Sequence, residues 1–395
     1  MAETQYIVLR SQSPIMPANA ELGAGARSRA RRAVPEIMEV EAVALTKAER
    51  DDLRRDPRTR AIAEPMPMKL IAPLDVDAPA SAAATNVTWG VEAVRAPESP
   101  FTGAGITVAV LDTGIDPNHP AFQGVNLVRR NFTTESADDL NGHGTHVAGT
   151  IFGQDVNDLR IGIAQHVSRA LIGKVLGAGG GSSISIAQAI LWAVNEGAHV
   201  VSMSLGIDFP GFVKILRDRG LELEPATSIA LEAYRANVNL FTELADFVSA
   251  GGALTQGTVI VAASGNESRR PTYEIAVAPP AAGTGILAIG ALQQGATGLS
   301  VANFSNTQVN LSGPGVGVFS AFPGGSLRSL NGTSMATPHV AGVGALWAQK
   351  QLESTGRVDG LTLMAQMIAS GSTAPLAANS EVEDVGTGIV QAPLS

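Results

Sequence analysis

The chain has 395 residues, of which 45% are hydrophobic, and it carries a formal net charge of −9 and no cysteine. This length and apolar content allow one large domain with a buried core and one small domain. The composition excludes disulfide bonds and thiol chemistry, and no apolar run approaches the ~20 residues of a membrane span. The acidic balance is not typical of a nucleic-acid-binding protein, so we expect neither nucleic acid nor a membrane as a partner.

The first 65 residues have the pattern of a small α+β domain. Three runs are typical of strands: residues 6–9, 37–43 and 61–64. Thr46 and Glu49 have the spacing of a capping box, which predicts a helix that runs to Arg55. Residues 66–86 are rich in proline and alanine and have the composition of a linker.

Two apolar, β-branched runs predict buried parallel strands, and a polar side chain follows each of them. Residues 106–111 lead into Asp112, and residues 258–263 are followed closely by Asn266. Between the two runs, His143 stands between glycines at the start of a helix-forming stretch. The carboxyl ends of parallel strands gather the sites of open α/β sheets. We therefore expect these three polar side chains to converge.

Ser334 precedes a helix-forming stretch over residues 340–349. A hydroxyl at a helix N-terminus lies near free backbone N–H groups and the positive end of the helix dipole. A serine there is also a common helix cap, so its position alone proves little. Together with an imidazole, a carboxylate and an amide, however, it has the composition of an acyl-transfer site.

Two other readings of these motifs stay open at this point. His143 and His146 are three residues apart on a predicted helix and could form half of a metal site, but a closed site needs more ligands than this spacing supplies. The glycines of residues 177–181 follow a strand as in a dinucleotide-binding loop, but the third glycine of that fingerprint is missing. We expect His119, His146 and His339 to have structural roles.

In the order Asp, His, Asn, Ser, these four segments resemble the signature blocks of the subtilisin-like serine proteases. The similarity extends from about Trp89 to Gln351. It implies an α/β fold of three layers, with a mostly parallel sheet and helices on both faces. It also implies a serine endopeptidase that acts on proteins or peptides. The alternative from another functional class is a binding scaffold that keeps the fold and has lost activity.

The resemblance also implies a role for each residue. Ser334 would be the nucleophile, His143 the general base, Asp112 the group that orients the histidine, and Asn266 a donor of the oxyanion hole. Other matching positions would bind substrate: Gly179, Gly180, Gly181, Ser204, Leu205, Gly206, Ala263, Gly265 and Glu267. The charge of Glu267 would disfavour an acidic side chain before the scissile bond and tolerate a lysine.

The resemblance divides the chain into three parts. Residues 1–65 resemble an inhibitory propeptide, residues 66–86 would be a linker with a self-cleavage site, and residues 87–395 would form the peptidase domain. On this interpretation the protein is made as a self-processing zymogen, and its own N-terminal domain is an intramolecular inhibitor. An ordinary accessory domain that stays attached is the simpler alternative.

An insertion around residues 207–240 follows the predicted wall of the substrate pocket, so we expect it to lie beside the cleft. One face of a long helix is predicted there by six apolar positions: Leu231, Tyr234, Val238, Phe241, Ala245 and Val248. An enlarged core is the simplest role for it, and a contribution to specificity or partner binding stays open.

No cofactor and no metal-ligating residue are predicted. Many proteins of the resembled family bind calcium through an acid that follows a His-Pro pair, but here Ala121 takes that position. Oxygen-bearing side chains remain in residues 154–158, so calcium stays open.

Residues 1–6 show neither the basic start nor the apolar stretch of a secretory signal. We therefore expect a cytoplasmic protein, and export by a route without such a signal is the alternative. A protease inside the cell must be restrained, and an attached inhibitory domain is one way to restrain it.

Overall fold

The computed structural model describes residues 3–12, 37–73, 86–250, 256–378 and 380–395. A small antiparallel sheet at the N-terminus has the order β2–β1–β3. Its strands are β1 (Thr4–Ser11), β2 (Met38–Leu45) and β3 (Thr59–Ala63).

The capping box predicted at Thr46 and Glu49 is present and begins helix α1 (Lys47–Leu53). This helix ends two residues earlier than predicted, since the N–H of Arg55 bonds to the carbonyl of Asp52 in a tighter turn (3.1 Å).

The central sheet joins distant parts of the chain. Among the described residues, eight strands form it in the order β13–β12–β11–β9–β5–β7–β6, with β14 on the side of β12. The strands are β5 (Thr107–Asp112), β6 (Leu127–Asn131), β7 (Arg169–Lys174), β9 (Val200–Met203), β11 (Val259–Ala263), β12 (Ile286–Gly295), β13 (Gly298–Val301) and β14 (Leu311–Pro314). Neighbouring strands are parallel except β12 and β13.

Helices cover both faces of this sheet, so the predicted three-layer α/β fold is confirmed. They are α2 (Trp89–Ala93), α3 (His143–Phe152), α4 (Ser183–Asn195), α5 (Phe209–Asp218), α6 (Leu223–Ala250), α7 (Thr333–Thr355), α8 (Gly360–Ala369) and α9 (Val382–Val385), with short 3-10 helices at Ala96–Glu98 and Pro120–Phe122. Val108 and Val110 of β5 pack with α3 and α7 in one core. Ala109 and Leu111 pack with α4 and α6 in the other, because successive side chains of a strand point to opposite faces.

Part of the predicted linker forms a strand. β4 (Pro67–Leu70) lies between β8 (Gly181–Ser182) and β10 (Leu205–Ile207) and runs antiparallel to both. Backbone pairing with two distant segments therefore fixes this part of the predicted linker in place. Residues 74–85 of the predicted linker lie outside the described part of the chain.

The insertion contains two helices, α5 and α6, where a single long helix was predicted. Phe241, Ala245 and Val248 are buried as expected, but Leu231 is 50% exposed. The buried face of α6 also includes positions that were not predicted: Ala226, Ala230, Ala233, Asn237, Leu240 and Leu244. The observed buried face differs from the predicted one because the N-terminal half of α6 packs through alanines against β3 and α5, while Leu231 borders a cavity.

Strands β15 (Val318–Phe322) and β16 (Ser326–Leu330) form an antiparallel hairpin that packs on α3 and precedes α7. None of the helices within the described ranges has the length and apolar character needed to cross a membrane.

Candidate active site

The end of β5 and the start of α3 bring an acid and an imidazole into contact. Asp112 is the last residue of β5 and His143 is the first residue of α3. The Nδ1 atom of His143 lies 2.8 Å from Oδ1 of Asp112, and each side chain is 1% exposed. The other ring nitrogen, Nε2, is buried and has no hydrogen-bond partner among the described residues. The carboxylate therefore fixes the ring so that Nε2 can act as the acceptor of a proton.

A second buried carboxylate, that of Asp139, connects the two elements. It accepts hydrogen bonds from the Thr113 hydroxyl (2.9 Å), the Gly142 N–H (2.8 Å), and the N–H and hydroxyl of Thr145 (2.9 and 2.7 Å). Burial acts to raise the pKa of Asp139, but these hydrogen bonds outweigh it and hold the pKa below its ordinary value. The sequence interpretation missed this residue, although an acid just before a glycine-flanked helix start was a signal for it.

Ser334 lies in the first turn of α7, which begins at Thr333 rather than near residue 340 as predicted. The helix contains Pro338, which has no N–H to donate to the carbonyl of Ser334. The hydroxyl of Ser204 donates to that carbonyl instead, at 3.2 Å. Ser204 thus compensates for the proline and holds the turn that carries the serine.

Asn266 follows β11 and faces the same turn. Its side-chain oxygen accepts from the backbone N–H and the hydroxyl of Thr333, both at 2.9 Å. These contacts aim the amide nitrogen away from the helix, and it donates to the carbonyl of Ala72 at 3.0 Å. The amide is therefore oriented to bind a carbonyl oxygen beside Ser334.

The chain's own residues 67–72 lie as an extended peptide against Ser334 and Asn266. The hydroxyl of Ser334 donates to the carbonyl of Ile71 at 2.8 Å and is fully buried beneath the peptide. Lys69 pairs with Gly206, and Met68 pairs with Gly181. The site therefore binds backbone in the manner of strand addition, which grips an extended peptide with little sequence demand.

Most of the predicted substrate-binding residues border this peptide. Ser204, Leu205 and Gly206 pair with Ile71, Leu70 and Lys69 on one side, the first through a long 3.5 Å contact between the Ile71 N–H and the Ser204 carbonyl. On the other side Gly181 pairs with Met68, and a Cβ at Gly180 would lie 2.6 Å from the carbonyl of Met68. Only a glycine allows such a close approach.

The remaining predicted positions lie near the peptide without pairing to it. Gly179 is at the turn before β8, and Ala263 is buried at the end of β11. Gly265 accepts from the N–H of Asn306 and donates its own N–H to the Thr333 hydroxyl. Glu267 forms an ion pair with Lys69 at 3.4 Å.

A cavity of about 840 Å³ opens beside Ile71 and Ala72, under the insertion. Its lining includes Phe209, Leu231 and Tyr234 from the insertion. The expectation that the insertion lies beside the cleft is therefore confirmed.

The other predicted histidines are buried and bond to the backbone. His119 Nε2 lies 2.8 Å from the carbonyl of Ser326, His146 Nε2 lies 3.0 Å from that of Val318, and His339 Nδ1 lies 2.8 Å from that of Met335. Burial lowers the pKa of His146 to about 3 and that of His339 to about 4. Within the described ranges no three His, Asp or Glu residues are grouped so that they could hold a metal ion.

Comparison with known proteins identifies the family of the chain. The sequence profile described as "Subtilase family" matches residues 103–379. M-protease of Shouchella clausii (strain KSM-K16) is 37% identical over 287 residues, which are 71% of this chain and 64% of that protein. This chain thus spans just under two thirds of the length of that relative.

Two further relatives are matched over more of their length. Subtilisin Savinase of Lederbergia lenta is 37% identical over 68% of this chain and 86% of its own. The major intracellular serine protease of Bacillus subtilis (strain 168) is 34% identical over 68% of this chain and 77% of its own. With a family profile that covers more than half of its residues and relatives at this level of identity, the chain belongs to the subtilase family.

Proposed function

We propose that the protein is a serine endopeptidase whose nucleophile is Ser334. One observation carries the proposal: an extended peptide, the chain's own residues 67–72, lies over the serine hydroxyl and the Asn266 amide, with one peptide carbonyl 2.8 Å from the hydroxyl and the next 3.0 Å from the amide. A hydrolase of peptide bonds needs an extended binding edge that lies beside a nucleophilic hydroxyl and an oxyanion donor.

In the proposed reaction His143 takes the proton of Ser334 through Nε2 as the hydroxyl attacks the substrate carbonyl. Asp112, bonded to Nδ1, holds the ring in the required tautomer and stabilises the cation that forms. The negative oxygen of the tetrahedral intermediate is stabilised by the amide of Asn266 and the N–H of Ser334 at the start of α7. His143 then returns its proton to the leaving amine, and water repeats the sequence on the acyl-enzyme.

The N-terminal residues are proposed to hold this machinery inactive in an unprocessed zymogen. The Ser334 hydroxyl is engaged by the carbonyl of Ile71, while the Asn266 amide is engaged by the next carbonyl, that of Ala72. Neither carbonyl contacts both groups, so the peptide occupies the site without aligning one bond for attack. A substrate must displace it before His143 can activate the serine.

The small N-terminal sheet anchors this inhibitory peptide. It packs on α4 through β2 and on α6 through β3. At the second contact the side chain of Asn237, fully buried, donates to the carbonyl of Glu64 at 2.9 Å. This supports residues 1–65 as an intramolecular inhibitor, with self-cleavage between residues 66 and 86. The bond after Ile71 is the proposed first site, since its carbonyl contacts the serine.

Intact mass of freshly purified wild-type and Ser334→Ala protein, followed over hours, tests the proposal. We expect only the wild type to lose an N-terminal fragment, which ends at Ile71. A serine-directed fluorophosphonate probe should label the processed wild type and not the variant. Absence of both cleavage and labelling in the wild type would favour a subtilisin-fold scaffold without activity.

We also propose a cytoplasmic location. The support is the relative from Bacillus subtilis, whose name describes it as an intracellular serine protease. Immunoblotting of cell lysate and culture medium tests this proposal, and accumulation of the processed form in the medium would contradict it.

A further inference from the structure

We propose that Asp208 and Glu267 form a subsite that selects substrates with lysine or arginine at the third position before the cleaved bond. The inference rests on the proposed function, because it reads residues 67–72 as the path of a substrate. In that path Ile71 precedes the cleaved bond, and Lys69 is the third residue before it. The ammonium group of Lys69 lies 3.4 Å from Oδ1 of Asp208 and 3.4 Å from Oε1 of Glu267.

Both carboxylates are held in position by the peptidase fold and not by the lysine. Asp208 is the N-cap of α5, and its side chain accepts from the N–H of Gly211 at 3.3 Å. Its backbone N–H donates to the carbonyl of Pro67 (3.0 Å), which keeps the residue against the bound peptide. Glu267 accepts from the amide of Asn306 at 2.9 Å. Each carboxylate therefore has a hydrogen-bond partner in the peptidase domain that does not depend on the lysine.

The backbone register explains why this position and not its neighbours is selected. Lys69 is paired with Gly206, which has no side chain to compete for the space above the strand. The flanking residues Met68 and Leu70 project to the other side of the peptide, because successive side chains of a strand alternate. Met68 is accordingly buried, whereas the side chain of Lys69 is 41% exposed between the acids.

The charges of Asp208 and Glu267 predict the order in which substrate side chains are preferred at this position. A cation at this position offsets the repulsion between two neighbouring carboxylates, a neutral side chain leaves it uncompensated, and an acidic side chain adds to it. Because all three groups are partly exposed, each ion pair contributes modestly. We expect a threefold to tenfold advantage of lysine over glutamine in kcat/KM, that is, about the effect of two exposed ion pairs.

The test uses the full chain after its self-processing is complete, with three peptides of the form acetyl-Met-X-Leu-Ile-aminomethylcoumarin, where X is Lys, Gln or Glu. The expected order of kcat/KM is Lys, Gln, Glu. In 1 M NaCl the difference between Lys and Gln should shrink to less than about twofold, because the Debye length falls to about 3 Å. In the double variant Asp208→Asn, Glu267→Gln the ratio of Lys to Gln should approach one.

Asp218→Asn is the matched control, since it removes an acid of the same type from the same helix. That acid pairs with Lys214 on the surface, so the preference for lysine should persist. Equal cleavage of the three peptides, or a preference that survives the double variant, would overturn the subsite and leave the proposed function intact. If neither casein nor any of the peptides were cleaved, the proposed function would fall, and the subsite with it.

Discussion

Replacement of Asp139 by asparagine would test whether this buried carboxylate holds the Asp112–His143 pair together. Among the described residues Asp139 has no hydrogen bond to the peptide in the cleft, yet it bonds to Thr113 next to the acid and to Gly142 next to the histidine. Asparagine keeps the shape of the side chain but presents an NH₂ group where one carboxylate oxygen was.

The expected loss of folding free energy follows from the individual hydrogen bonds of Asp139. One oxygen of Asp139 accepts from Thr113, Asn141 and Gly142, and an amide oxygen can keep those three contacts. The other oxygen accepts from the N–H and hydroxyl of Thr145. The hydroxyl can rotate, but the N–H would face another donor in a buried site, which costs about 1–3 kcal/mol. The charge-assisted character of the remaining bonds is also lost, so we expect a total of about 2–4 kcal/mol.

Urea unfolding, monitored by tryptophan fluorescence in the Ser334→Ala background, gives the free energy of unfolding without self-digestion. The matched control is Asp138→Asn, because that neighbouring side chain is 58% exposed and pairs with Arg129 on the surface. Such a pair contributes at most about 1 kcal/mol. With Ser334 intact, Asp139→Asn should also lower kcat/KM by about tenfold or more, since small displacements of catalytic groups are costly.

If Asp139→Asn destabilises the protein no more than Asp138→Asn does, the hydrogen bonds of Asp139 do not stabilise the fold. A large loss of stability with unchanged kcat/KM would show that the carboxylate supports the fold but does not position the pair.

Three more predictions follow from buried contacts. Stability should fall as pH drops from 6.5 towards 4, by about 1.4 kcal/mol per pH unit for each buried neutral histidine, because the unfolded chain takes up protons that the folded chain refuses. Burial is the main cause of the lowered pKa values, about 3 for His146 and about 4 for His199 and His339. Urea unfolding midpoints measured from pH 8 to 5 check the predicted loss of stability, and midpoints that do not change with pH would contradict it. Gly144→Ala should lower the free energy of unfolding by about 2–3 kcal/mol in the same assay, because the added Cβ would lie 2.2 Å from the carbonyl oxygen of Gly114. The control Gly179→Ala should leave this free energy nearly unchanged, since the added Cβ meets nothing within 4 Å. Asn237→Ala should weaken the docking of the N-terminal sheet by about 1–3 kcal/mol and shorten the lag before peptide hydrolysis, while exposed Asn239→Ala should leave the lag unchanged.

The sequence by itself determined the family, the fold class and the four blocks around Asp112, His143, Asn266 and Ser334. These features are local: a strand shows as an apolar run, and a polar residue at its end is read directly from the chain. The capping box at Thr46 is local in the same way, since both of its hydrogen bonds join residues three apart. Elements of this kind can be predicted because their causes lie within a few residues.

Only the tertiary structure decided how the cleft is filled and supported. Residues 67–70 have no strand periodicity of their own, and they form β4 because β8 and β10, more than 100 residues away, leave two unpaired edges for them. The helix-forming stretch was predicted over residues 340–349, but the hydroxyl of Ser204 bonds to the carbonyl that Pro338 leaves without a donor, and α7 begins at Thr333. The pairing of Lys69 with two distant acids arises in the same way, because contacts between remote segments depend on packing and leave no periodic trace in the sequence.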